Sequence, residues 1–104
     1  MTEKNYIYSL GIKKGNELLP IGSVVNLAFI QQAVMIYGRK QVQTNKEVIW
    51  DYVACPYPQG HLSDDTNVFF NHEQINDVIF KGFESEGEII LRSKILKATG
   101  EDKK

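Results

Sequence analysis

Residues 23–40 read SVVNLAFIQQAVMIYGRK, and their pattern is the strongest indication of the fold. It contains two runs of β-branched and apolar residues, each of strand length, one before and one after the polar pair Gln31-Gln32. The pattern predicts an antiparallel hairpin that breaks at the two glutamines, although no Asn-Gly pair specifies its turn type. Gly38, inside the second run, predicts a bulge or a close approach of two backbones.

Two further strands are predicted downstream, at 47–53 and at 77–83. In the first of these, Trp50 shares a face with Val48 and Tyr52, because side chains alternate along a strand. We therefore expect Trp50 to be a core residue.

Capping-box spacing predicts where helical segments begin. Asn71 and Gln74 have this spacing and predict a single helical turn over 72–75. A longer helix that continues through Val78 and Ile79 is the alternative.

A second capping-box pair, Ser85 and Glu88, predicts a helix over 86–99 with Gly100 at its C-terminal cap. A short alternation at 6–10 predicts an edge strand, and both chain ends are expected to fray. The order of elements predicts a mainly β, α+β fold. We expect a small curled antiparallel sheet or SH3-like partial barrel, with a short helical turn and one C-terminal helix.

The composition is that of an ordinary globular chain. Of 104 residues, 42% are hydrophobic and 24% are charged, which predicts a single domain over 1–104. The formal net charge of -1 disfavours nucleic acid as a partner. We expect neither export by a signal peptide nor membrane insertion, because no apolar run approaches the ~20 residues that span a bilayer. A lone cysteine, Cys55, favours a cytoplasmic location.

Cys55, His61 and His72 are the thiol and imidazole side chains of the chain, and with Asp64 or Asp65 they offer four potential zinc ligands. Their spacing contains none of the close ligand pairs typical of structural zinc sites, and no neighbouring cation activates the thiol. We therefore expect no catalytic residue, no metal and no cofactor. A small Cys/His metal-dependent enzyme is kept as an alternative.

The segment 56–71 is the predicted partner-binding loop. Pro56 and Pro58 end the preceding strand and stiffen the chain on both sides of Tyr57. That ring is an interface anchor if it is exposed, and a core residue if it folds inward. Phe69 and the next phenylalanine point to opposite faces of an extended chain, so only one can enter the core. The candidate partner-binding residues are Tyr57, Pro58, His61 and Phe69.

Five motifs occur in order along the chain: LPIGSVV (19–25), MIYGR (35–39), WDYVACPYPQG (50–60), FFNHEQI (69–75) and VIFKGF (78–83). Over about residues 18–84 the chain resembles domain-of-unknown-function family 4176, a small Gram-positive bacterial family. Members of that family are encoded beside LXG polymorphic toxins of the type VII secretion pathway. The sequence departs from the family pattern at Ala54-Cys55, where a small residue followed by glycine is usual.

The resemblance implies an accessory role in a toxin-secretion locus, with no catalytic residue or cofactor to carry over. It implies a chaperone-like or adaptor-like protein that binds an LXG toxin, or a small helical protein associated with it. An immunity protein that neutralises a cognate toxin is the alternative under the same resemblance.

Overall fold

The computed structural model describes residues 12–42 and 47–99. Five strands form one antiparallel sheet: β1 Val24–Leu27, β2 Ile30–Val42, β3 Ile49–Pro56, β4 Val68–Phe70 and β5 Ile75–Phe80. Two 3-10 turns, Asp64–Thr66 and His72–Gln74, flank β4, and one helix, α1 Glu86–Thr99, follows β5. The strand order is β4-β3-β2-β1-β5, and the sheet is open. The predicted mainly β, α+β class is confirmed, whereas the predicted edge strand at 6–10 and the cap at Gly100 lie outside the described residues.

The predicted hairpin is confirmed as β1 and β2, but its turn lies earlier than expected. Ala28 and Phe29 form the turn, and Gln31-Gln32 already belong to β2. The Ala28 N–H donates to the carbonyl oxygen of Gln74 at 3.1 Å, so a contact from the distant 3-10 turn fixes the hairpin end. The polar pair Gln31-Gln32 therefore predicted the hairpin turn at the wrong residues.

Gly38 lies at a bulge, which is one of the two roles predicted for it. The pairing of β2 with β3 slips by one residue between Ile36 and Gly38, which leaves Tyr37 as the extra residue of a bulge. A Cβ atom at Gly38 would also lie 2.7 Å from Cγ1 of Val53, closer than carbon atoms pack. The bulge is confirmed, but the atom close to Gly38 belongs to the side chain of Val53, so the alternative of a close approach of two backbones is not found at this glycine.

The helical turn between β4 and β5 forms as the capping-box spacing predicts. The Asn71 N–H donates to Oε1 of Gln74 at 2.8 Å, and the turn covers His72–Gln74. β5 begins directly afterwards at Ile75, so the alternative of a longer helix is wrong. The strand predicted at 77–83 thus begins and ends earlier than expected.

The core lies on one face of the curled sheet and includes two residues that precede β1. Its buried members are Leu18, Leu19, Val25, Leu27, Val34, Ile36, Tyr52, Ala54, Phe70, Ile75 and Val78. Within the described residues, no helix is long and apolar enough to cross a membrane.

β3 contributes Tyr52 to this core, and the prediction that Trp50 is a core residue is wrong. Tyr52 is fully buried and stacks on Phe70 with ring centroids 5.2 Å apart. Trp50 is only half-buried, because it is the second residue of β3 and pairs with exposed Gln41 near the end of the sheet. The two side chains share a face, but the core ends between them.

The Tyr52 hydroxyl links three segments of the chain. It accepts a hydrogen bond from the Leu19 N–H at 2.9 Å and lies 2.6 Å from Nδ1 of His72. Burial raises the pKa of this hydroxyl, so it remains protonated and donates to Nδ1. Nε2 of His72 then carries the ring proton and donates to the carbonyl oxygen of Gly15 at 2.9 Å. The N-terminal segment is thereby bonded to β3.

α1 begins as its capping box predicts, with the Glu88 N–H donating to Oγ of Ser85 at 3.1 Å. It docks through buried charges. The Arg39 guanidinium of β2 donates to both carboxylate oxygens of Glu88, at 2.5 and 2.8 Å, and Nε of Arg92 donates to the same carboxylate at 3.3 Å. Ile95 adds an apolar contact to the core from the same side of the helix.

Arg92 extends this network to two more segments. It donates to Glu17 at 2.7 Å and to Glu84 at 2.5 Å. The hydrogen bond from Arg92 holds the pKa of Glu84 below its ordinary value. Side chains of Arg39, Glu88 and Arg92 are 4%, 10% and 7% exposed, so these ion pairs are shielded from water.

We predict that Tyr52→Phe lowers the free energy of unfolding by about 1–3 kcal/mol, because it leaves a buried N–H of Leu19 without an acceptor. Urea denaturation measures this loss. Tyr37→Phe is the matched control, because its hydroxyl bonds Asn67 at the exposed surface. Equal losses in the two variants would contradict a specific role for the buried hydroxyl.

We predict that Glu88→Gln lowers the free energy of unfolding by about 3 kcal/mol or more, because two buried guanidiniums lose their shared carboxylate. Glu86→Gln, on the exposed side of the same helix, should change it by less than about 0.5 kcal/mol. Chemical denaturation of dilute protein compares the two variants. A Glu88→Gln protein as stable as the control would show that the network does not stabilise the fold.

Candidate functional site

The predicted partner-binding segment forms the loop between β3 and β4, here called the 57–67 loop. It exposes two large apolar side chains, Tyr57 at 48% and Leu62 at 63%. Pro58 and His61 are exposed as well, and the Tyr57-Pro58 peptide bond is cis. Of the two interpretations of Tyr57, the structure agrees with the exposed ring.

Hydrogen bonds attach the start of this loop to β2. The Tyr57 N–H donates to the carbonyl oxygen of Ala33 at 2.9 Å, and the side-chain amide of Gln32 donates to the Tyr57 carbonyl at 2.5 Å. The Gly60 N–H closes a turn on the carbonyl oxygen of Pro56 at 2.8 Å, with a φ of 84° that favours glycine. Tyr57 is therefore exposed on a backbone that is held in place.

A second attachment comes from Tyr37, the extra residue of the β2 bulge. Its hydroxyl donates to Oδ1 of Asn67 at 2.6 Å, and its ring meets the ring of His61 edge to face, with centroids 5.8 Å apart. Nε2 of His61 also lies 3.7 Å from Oδ1 of Asp64. His61 thus packs against the sheet while half of its side chain remains exposed. Sequence reasoning missed Tyr37, although the adjacent bulge glycine was the available signal.

The side chains of the two phenylalanines of β4 point to opposite faces of the strand, as predicted. Phe70 is fully buried in the core, and Phe69 is half-buried on the opposite face, where it pairs with Val53. Phe69 therefore belongs to the sheet. The other three predicted residues, Tyr57, Pro58 and His61, share the 57–67 loop.

The three side chains of the enzyme alternative lie in separate environments. Cys55 is buried in β3, His61 packs on Tyr37, and both ring nitrogens of His72 are hydrogen-bonded to protein oxygens. Over residues 12–42 and 47–99, His, Cys, Asp and Glu side chains form no group of three or more that could hold a metal ion. The zinc ligand set considered from the sequence is therefore not assembled in this part of the chain.

A cleft of about 650 Å³ lies beside His72 and was not anticipated from the sequence. Three of its charged side chains, Lys14, Lys40 and Asp51, bond to each other or to the backbone. Nζ of Lys40 is 2.7 Å from Oδ1 of Asp51, whose other oxygen accepts from the His72 N–H at 2.9 Å. Nζ of Lys14 donates to the carbonyl oxygens of His72 and Ile75, at 3.2 Å each. These bonds give the three side chains structural roles, and those of Lys14 join the N-terminal segment to the chain at His72 and Ile75.

One family model matches the chain, over residues 18–91. Its description is Domain of unknown function (DUF4176), and the match extends the expected family region into the first half of α1. No curated protein and no solved structure matches the chain significantly. Because the match covers well over half of the sequence, this chain belongs to the DUF4176 family.

Proposed function

We propose that this protein is a non-catalytic accessory factor, chaperone-like or adaptor-like, that binds a protein partner in a type VII secretion LXG toxin locus. The partner in this proposal is the LXG toxin or a small helical protein associated with it, and binding takes place in the cytoplasm. Family membership supports the genetic context, and the geometry of the 57–67 loop supports the mode of action.

The exposed ring of Tyr57 carries the proposal. An aromatic ring on a tethered backbone contributes contact area with little loss of conformational entropy, which is the character of an interface anchor. Leu62 adds a second exposed apolar side chain to the same loop. Asp64 and Asp65, both exposed, provide the polar rim that surrounds such anchors.

The loop is also pre-organised by the contacts already described. Tyr37 and Asn67 attach its far end, and Ala33 attaches its start, so little ordering is required on binding. Recognition is therefore the activity that this geometry supports best.

We predict that Tyr57→Ala weakens binding of the LXG toxin from the same locus by about 2 kcal/mol or more, because it removes the anchor ring. The melting temperature should change little, because about half of that ring is exposed in the free protein. Titration calorimetry with the purified toxin, or its LXG segment, measures the affinity. Phe80→Ala is the matched control, because that exposed ring lies on β5 at the opposite edge of the sheet.

Undiminished affinity of the Tyr57→Ala protein would exclude the loop from the interface. An affinity loss that is matched by a drop in melting temperature would assign the effect to folding. A toxin that is inhibited when bound would indicate an immunity protein, whereas one that is stabilised but still active would indicate a chaperone.

A further inference from the structure

α1 carries apolar side chains on more than the side that docks. Ile95 packs against the core, but Ile89, Ile90 and Leu91 are 55%, 51% and 48% exposed. Phe83, three residues before the helix, is 82% exposed. Because successive residues of a helix are about 100° apart, Ile89, Ile90 and Leu91 lie on different sides of α1, and Ile90 is the one that points away from the sheet.

The helical repeat defines the outward face of α1. Glu88, Arg92 and Ile95 share the side that faces the sheet, as their contacts show. At about 100° per residue, the opposite side is formed by residues spaced four, three and four apart. These residues, all exposed, are Glu86, Ile90, Ser93 and Lys97. We call them the outward stripe.

The outward stripe is complementary to itself when reversed. Its first residue, Glu86, is acidic and its last, Lys97, is basic, with Ile90 and Ser93 between them. In an antiparallel pair of identical helices related by a two-fold axis, two residues face each other when their residue numbers add up to one fixed value. Each Glu86 then faces Lys97 of the other copy, and each Ile90 faces Ser93 near the axis. The small serine leaves room for the isoleucine from the other helix.

We infer that α1 is a homodimerisation surface, on which a second copy of this chain packs its own α1 antiparallel. The stripe is acidic at one end and basic at the other, which favours a second copy of the chain as the partner. Two identical antiparallel helices then pair opposite charges at both ends. The formal net charge of -1 means that two copies repel each other little. This inference goes beyond the proposed function, since the 57–67 loop contributes nothing to the pair.

The dimer is weak and depends on concentration. A helix of 14 residues is about 21 Å long, so the paired surface is smaller than a standard protein interface. Self-association is therefore expected at micromolar to millimolar concentrations, where sedimentation equilibrium detects it.

We predict that Ile90→Glu weakens self-association about 100-fold or more, because two carboxylates then meet near the two-fold axis. Val42→Glu is the matched control, because it also introduces a charge at an exposed apolar residue, at the end of β2. Sedimentation equilibrium up to about 1 mM measures both, and circular dichroism checks that each variant is folded. Native protein that stays monomeric throughout, or an unchanged dimer in Ile90→Glu, would overturn the inference.

Charge exchange tests the antiparallel arrangement itself. Glu86→Lys and Lys97→Glu should each dimerise about tenfold more weakly than the native chain, because like charges then face each other at both ends. An equimolar mixture of the two variants should recover native affinity as a mixed dimer, because both ends again pair opposite charges. A general weakening of the helix cannot produce that recovery. Single variants that dimerise normally, or a mixture that does not recover, would contradict the arrangement.

Discussion

The carboxylate of Glu88, buried between the guanidiniums of Arg39 and Arg92, is the interaction on which the rest of this structure depends. It joins α1 to β2, and Arg92 carries the connection on to Glu17 and Glu84. A buried charge is tolerated only when its partners are close and well oriented. Here Glu88 binds two guanidiniums and Arg92 binds three carboxylates, so the N-terminal segment, the sheet and the helix assume one arrangement.

This mode of docking explains why the helix exposes apolar side chains. Two of the three residues that face the sheet, Glu88 and Arg92, are charged, so Ile95 is the apolar contact on that side. Ile89, Ile90 and Leu91 lie on the other sides of α1 and are about half exposed to water. The proposed dimer surface is thus a consequence of a helix that docks through ion pairs. The 57–67 loop is held separately, by Tyr37 and by β2.

The sequence pattern predicted several elements correctly, because each of them depends on residues that are close together in the chain. The capping boxes that begin the 3-10 turn and α1 involve residues three apart, and Gly38 marks a bulge within one strand pair. The opposite orientations of Phe69 and Phe70 follow from strand alternation alone. Exposure of Tyr57 did not follow, because the sequence allowed both an inward and an outward ring. Hydrogen bonds from β2 to its backbone decide between them.

Periodicity, turn residues and motifs along the chain predicted the class of fold, the family and the order of the elements except β4, a three-residue strand that lies within the predicted loop. Which aromatic residue of β3 fills the core depends on tertiary contacts. Trp50 and Tyr52 occupy equivalent positions in the alternation, but only Tyr52 meets the N–H of Leu19 and the ring of His72. Likewise, the sequence contains Arg39, Glu88 and Arg92 at wide separations, and nothing local indicates that they meet. Burial of charge depends on partners that the chain brings together only by folding, and for that reason no local pattern predicts it.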